Sequence, residues 1–200
     1  MTAARLAVAL LAAAAAALYL GPYRQGKQDE AALAQVATAI AGREVRVDCP
    51  GTFARLTDVS PNDGTVVFSR EGVPADETRL SGGTCERLAD LLHGNVSGLE
   101  CLATESACPG QLEDVAVAVN VLSHEAWHLA GVRDEAAAQC YALQTNTDTA
   151  LRLGASRDEA LAVSRFVYRR VQPALPADYR TPVCRDGGPL DLRPGDPGWP

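Results

Sequence analysis

The hydrophobic pattern changes character along the chain. It begins as an uninterrupted apolar run from Leu6 to Leu20, preceded by Arg5 and closed by Gly21-Pro22. A run of this length starting almost at Met1 predicts a secretory signal peptide or a short signal anchor over residues 1–20. Residues 21–28 are polar and read as a linker leading to a domain over 29–184. Asp29 to Ala41 then places Leu33, Val36, Ala37 and Ile40 at helical spacing and stops at Gly42. From Arg43 to Asp48 polar and apolar residues alternate, as in a half-buried strand. Gly64 to Phe68 is a second β-rich run after the turn signal Pro61-Asn62-Asp63-Gly64. Helices are predicted over Thr84–His93, Asp114–Ala130, Glu135–Leu153 and Arg157–Val171, the last opened by a capping box of Ser156 and Glu159. Beyond Cys184 the Pro- and Gly-rich residues 185–200 read as a disordered tail. The pattern predicts an α+β fold, mostly helical, with a small β-hairpin or sheet and a hydrophobic N-terminal helix.

Composition narrows the function classes. With 200 residues, 47% of them hydrophobic, the chain can build one domain with a real core. The formal charge of −7 comes without any basic cluster, which excludes a general nucleic-acid binder. All six cysteines, Cys49, Cys85, Cys101, Cys108, Cys140 and Cys184, follow the apolar run, and none forms a CxxC pair. That usage predicts disulfides in an extracytoplasmic compartment rather than a zinc ribbon or a thiol redox site. Cys101 with Cys108 and Cys140 with Cys184 are the pairings expected first.

The chemistry concentrates in His124-Glu125-Ala126-Trp127-His128, an HExxH motif. On a helix, residues i and i+4 share a face, so both imidazoles can reach one metal ion. The preceding residues from Val115 to Leu122 supply that helix, and Val117, Val121, His124 and His128 form a stripe that is expected to be buried. Glu125 stands where its carboxylate can act as general base on a metal-activated water rather than as a ligand. Zinc, with three protein ligands and an open position, is the metal this arrangement implies. A third ligand comes from one of two neighbours, Asp134 or Glu135. Asp134 falls at the natural N-cap of the next helix, and Glu135 in its first turn with a longer reach, so Glu135 is the ligand expected and Asp134 the alternative.

The stretch from His124 to Asp134, HExxHxxGxxD, resembles the elongated metzincin motif, but the only methionine is Met1, and the Met-turn of that family is missing. Glu135-Ala136-Ala137-Ala138-Gln139 resembles the ExxAD pattern of gluzincins except at Gln139. We therefore read the chain as similar to a compact gluzincin, with His124, His128 and Glu135 on zinc. That resemblance implies a zincin-like active-site helix packed with further helices. It also implies an exported metallopeptidase that hydrolyses a peptide or an envelope protein while attached to the membrane by its N-terminal segment, or secreted. More loosely, HEAWHLAGVRDEAAAQCYA is similar to the core of small exported actinobacterial proteins, which implies no substrate. The competing reading is a non-catalytic envelope protein, stapled by zinc and disulfides, that binds a partner.

Other residues carry weaker expectations. His93 reads as a helix C-terminal cation. Tyr141 and Tyr168 could polarise a substrate oxygen but fit packing better, as does Trp127. Cys140 fits a disulfide better than a metal, and Asn95-Val96-Ser97 is a sequon without a reader in a bacterium.

Overall fold

The computed structural model describes residues 3–51, 63–104, 108–196 and 198–199, with side chains described from Gly21 onward. The fold is α+β and mostly helical, with one three-stranded sheet. Helix α1 spans Ala3–Ala41. It runs through residues 21–28, so the expected linker is helical. Helix propagation needs only one bond per residue added, and polar pairs such as Lys27–Glu30 at 2.5 Å and Gln25–Asp29 at 3.0 Å support this exposed stretch, with Pro22 tolerated inside it. The apolar run Leu6–Leu20, read as signal or anchor, has its side chains outside the described residues. Among the described residues no helix is long and apolar enough to cross a membrane. Toward its end α1 buries Leu33, Val36 and Ala37, and it stops where Gly42 takes φ 69°.

Three strands follow: β1 (Arg46–Asp48), β2 (Gly64–Phe68) and β3 (Pro74–Leu80). β3 lies in the middle, parallel to β1 and antiparallel to β2. The two runs expected as strands therefore do not pair with each other. The strand between them, Pro74-Ala75-Asp76-Glu77-Thr78-Arg79-Leu80, is too polar to announce itself. It pairs by backbone on both sides, and its charged residues lie on the solvated face in cross-strand ion pairs, Arg46–Glu77 at 3.2 Å and Arg79–Asp48 at 3.1 Å. The β2–β3 turn is fixed by Ser69, whose Oγ accepts from the Glu71 and Val73 amides, and by Gly72 at φ 85°. On β2 the odd residues Thr65 and Val67 face solvent, while Gly64, Val66 and Phe68 are half-buried on the face toward the helices.

Helix α2 (Gly82–Leu92) is capped by Ser81, whose Oγ accepts from the Thr84 amide at 3.1 Å. Its C-cap, His93, bonds Asp29 of α1 at 2.8 Å. Helix α3 (Gly110–Leu129) is the central element and packs against α1, α2, β2, β3 and the following helix. Ala116, Val119, Leu122, Ala126 and Leu129 are fully buried on its core face. Each large apolar side chain so buried contributes about 1.5–3 kcal/mol. α3 ends at Gly131 (φ 100°), with Arg43 Nε donating to the Leu129 carbonyl at 2.8 Å. Helices α4 (Glu135–Arg152) and α5 (Arg157–Phe166) complete the bundle, and the latter shows the Ser156–Glu159 capping box. The helix expected to reach Val171 changes to a π-helical turn over Val167–Val171.

Three disulfides, Cys49–Cys85, Cys101–Cys108 and Cys140–Cys184, tie β1 to α2, close the turn before α3, and hold the C-terminal segment on α4. They indicate an oxidising, extracytoplasmic environment. Residues expected as a disordered tail are bonded to α4 instead. Gln144 donates to the Leu190 carbonyl at 2.9 Å and accepts from the Leu192 amide at 2.7 Å, because one buried amide side chain mimics a strand partner for the passing backbone.

Candidate metal centre

α3 and α4 pack on each other and are joined by the short link Ala130-Gly131-Val132-Arg133-Asp134. Their contact surface is polar at its heart. Asn120 and Gln139 exchange hydrogen bonds at 3.3 and 3.2 Å, Asn146 donates to Asn120 at 3.1 Å, and Ser123 bonds Thr145 and Thr149 at 2.8 and 3.2 Å. Buried polar groups bonded across the contact in this way fix one register of the two helices. That register matters, because it sets the first turn of α4 beside the last turns of α3.

At this junction three donor atoms converge. His124 Nε2 and His128 Nε2 are 2.9 Å apart, and Glu135 Oε2 lies 3.0 Å from the first and 3.2 Å from the second. The group can hold a metal ion. Tetrahedral zinc with bonds near 2.0–2.1 Å would place its ligand atoms roughly 3.3 Å apart, close to what is found. Two imidazole nitrogens aimed at each other also need a proton or a cation between them. His128 is oriented by its other nitrogen, Nδ1, which lies 2.6 Å from the Val132 carbonyl. Such a bond fixes the ring and leaves Nε2 available. The Phe68 ring stands edge-on to His128 at 5.9 Å, and Tyr179 stacks on His124 at 5.5 Å.

Asp134 does not join this group. It is the N-cap of α4, its Oδ1 accepting from the Ala137 amide at 2.8 Å. Its single task there is to satisfy an otherwise orphaned donor.

Glu125 lies on the same cavity but outside the triad. It is 5% exposed, and its Oε2 has no hydrogen-bond partner among the described residues. Gly64 of β2 presses directly on it: a Cβ there would stand 2.6 Å from Glu125 Cγ and 2.7 Å from Oε1. Burial, with the charge of Glu135 second, pushes the Glu125 carboxyl up to about 8. The hydrogen bond with His124 holds Glu135 below its ordinary range, whereas burial holds the His124 imidazole below its own.

The triad and Glu125 open onto a cavity of about 530 Å³. β2 lines it with Gly64, Val66 and Phe68, and the C-terminal segment with Leu175, Pro176 and Tyr179. Of the stripe expected to be buried, His124 and His128 are, whereas Val117 and Val121 are only partly so, since they line the cavity. Neither Tyr141, which packs on Trp127 at 4.8 Å, nor Tyr168 lines it. Tyr179 takes the place considered for them. It sits in a 3-10 turn after Pro176, a segment without periodicity, and only the Cys140–Cys184 pairing pointed toward the site. Burial raises the Tyr179 phenol above its ordinary value. Gln139 supports the C-terminal segment by donating to Gln172 at 3.0 Å. In comparison with known proteins the chain matches no family model, no curated protein and no solved structure.

Proposed function

We propose that the protein is an exported zinc-dependent peptidase of compact gluzincin-like design, with α3 as the active-site helix. The observation that carries this reading is the convergence of His124, His128 and Glu135 beside a buried carboxylate, Glu125, whose Oε2 has no hydrogen-bond partner among the described residues. A structural metal site needs four protein ligands and has no work for such a group.

Zinc in the triad would supply a Lewis acid for a peptide carbonyl and lower the pKa of a nearby water. The chain's own part is to hold and move the proton. Glu125 accepts it from the attacking water and delivers it to the leaving amine, which requires a carboxyl tuned toward neutrality. Burial supplies the upward shift, and a cation beside it would restrain that shift. Tyr179 places a phenol on the cavity wall next to His124, where it can donate to an oxygen that gains negative charge. Phe68 and Val66 of β2 and Leu175 and Pro176 of the C-terminal segment keep bulk water away from these groups. Export through the segment ending at Leu20 belongs to this proposal, and the three disulfides support it.

The test is metal analysis of the purified chain together with turnover of a quenched random-peptide mixture. The expected result is one zinc per chain and turnover that Glu125→Gln abolishes without loss of zinc. Absence of stoichiometric zinc after loading overturns the reading. Stoichiometric zinc with no turnover favours the non-catalytic envelope protein instead.

A further inference from the structure

Resting on the peptidase reading, we propose that the substrates of this cavity carry a carboxylate beside the bond to be cleaved, and that Arg133 binds it. The link between α3 and α4 places Arg133 between the ligands His128 and Glu135, and its side chain lines the metal cavity. Asp63, Glu125 and Glu135 line it too, so Arg133 is the one permanently charged cation among its described lining residues.

Its guanidinium is held in place. The group stacks over Phe68, with Cζ 5.6 Å from the ring centroid, and Phe68 in turn meets His128. On the other side it crosses the bare backbone of Gly72 in the β2–β3 turn: a Cβ at Gly72 would stand 2.9 Å from Nη1 and 3.4 Å from Cδ. A residue of β2 and one of the following turn therefore restrict a side chain that ordinarily loses much rotamer freedom on binding.

What it lacks is an anion. Arg43, Arg46, Arg79, Arg87, Arg152 and Arg193 each pair with a carboxylate. Arg133 shares the lack of an ion pair among the described residues with other arginines such as Arg70 and Arg180, but of these it alone lines the metal cavity, and it forms no ion pair with Asp63 on the same cavity. A planar fork of donors, pre-positioned and unpaired at the edge of a site for peptides, matches a carboxylate, which it can bind through two parallel hydrogen bonds. Two sources offer that chemistry in a peptide: the C-terminal carboxylate and the side chain of Asp or Glu.

The experiment uses the full chain, zinc-loaded, as Glu125→Gln with and without Arg133→Gln, and reads retention of four randomised hexapeptide pools by mass spectrometry. The pools contain or lack Asp and Glu, and end in a free carboxylate or an amide. One carboxylate-bearing class should be retained about 10–100-fold more strongly, as expected for a charge-assisted pair, and Arg133→Gln should erase the preference with zinc content unchanged. The free-end pool or the acidic-residue pool identifies the source. Equal retention of the neutral amidated pool, a preference that survives Arg133→Gln, or no retention of any pool overturns the proposal, even if the wild type cleaves peptides. An Arg133-dependent preference without cleavage by the wild type upholds carboxylate recognition and removes the peptidase reading alone.

Discussion

The floor of the metal cavity comes from two helices adjacent in sequence, α3 and α4, whose facing sides are buried and hydrogen-bonded through Asn120, Gln139 and Asn146. Its cover comes from afar: β2, and a C-terminal segment attached through Gln172, Gln144 and the Cys140–Cys184 bridge. The floor carries every donor atom of the triad, and the cover carries none, presenting glycine, aromatic and aliphatic groups instead. Loss of a donor atom from the floor should therefore abolish metal binding, whereas damage to the cover should leave the metal and change what can be done with it.

The strongest break in that division is Glu135→Ala, which deletes a ligand from the floor. The variant should fail to retain metal through gel filtration at loadings that saturate the wild type, as measured by elemental analysis. Full retention would show that the floor does not need its acid.

On the side of the cover, the paired change Cys140→Ser and Cys184→Ser opens a loop of sequence separation 44. It should lower unfolding free energy by about 2–4 kcal/mol in denaturant titration. Metal content should stay stoichiometric, while turnover falls because Tyr179 is no longer held over His124. Metal loss here would merge the two regions into one.

Gly64→Ala probes the seam between them. The added methyl meets Glu125 Cγ at 2.6 Å, so the carboxylate has to move. Turnover should drop about 100-fold, the scale expected for an ångström of misplacement, with metal and melting temperature nearly unchanged. Unchanged turnover would mean that Glu125 is free to work from another position.

The smallest effect belongs to Asp134→Ala, a floor residue without a donor atom in the triad. It should cost about 0.5–2 kcal/mol of stability, as loss of an N-cap does, and keep the metal. Loss of metal would exchange the roles of Asp134 and Glu135.

The same division explains what could be read from the sequence. Floor residues announce themselves locally: the i, i+4 histidines, the stop at Gly131, and an Asp followed by Glu at the head of the next helix all sit within one short stretch. The cover has no such signal. β3 can be polar because its backbone pairs on both sides; of its residues only Thr78, which bonds the Thr65 carbonyl, and Leu80 are buried. Gly64 reads as a turn residue, and its close approach to Glu125 exists only once β2 lies on α3. Residues 185–192 look disordered by composition, yet Gln144 bonds the backbone of Leu190 and Leu192 beside the Cys140–Cys184 bridge. Arg133 and Tyr179 gain meaning from neighbours that lie 65 and 55 positions away, respectively Phe68 and His124.

The nearness of the donor atoms in sequence also sets an order in time. Glu135 is separated from His124 by 11 positions and from His128 by 7, whereas the bridges that hold the sheet and the C-terminal segment span 36 and 44. A contact over about ten residues closes in roughly 10–100 ns, and disulfides form over seconds to hours. The chain should hence pass through an early species with a complete triad and no lid, while its cysteines are still thiols. Metal capture at that moment would nucleate the α3–α4 pair and leave Cys140 fixed on α4, waiting for Cys184. Loading would precede oxidation, and a reduced, newly emerged chain would already be able to bind its ion.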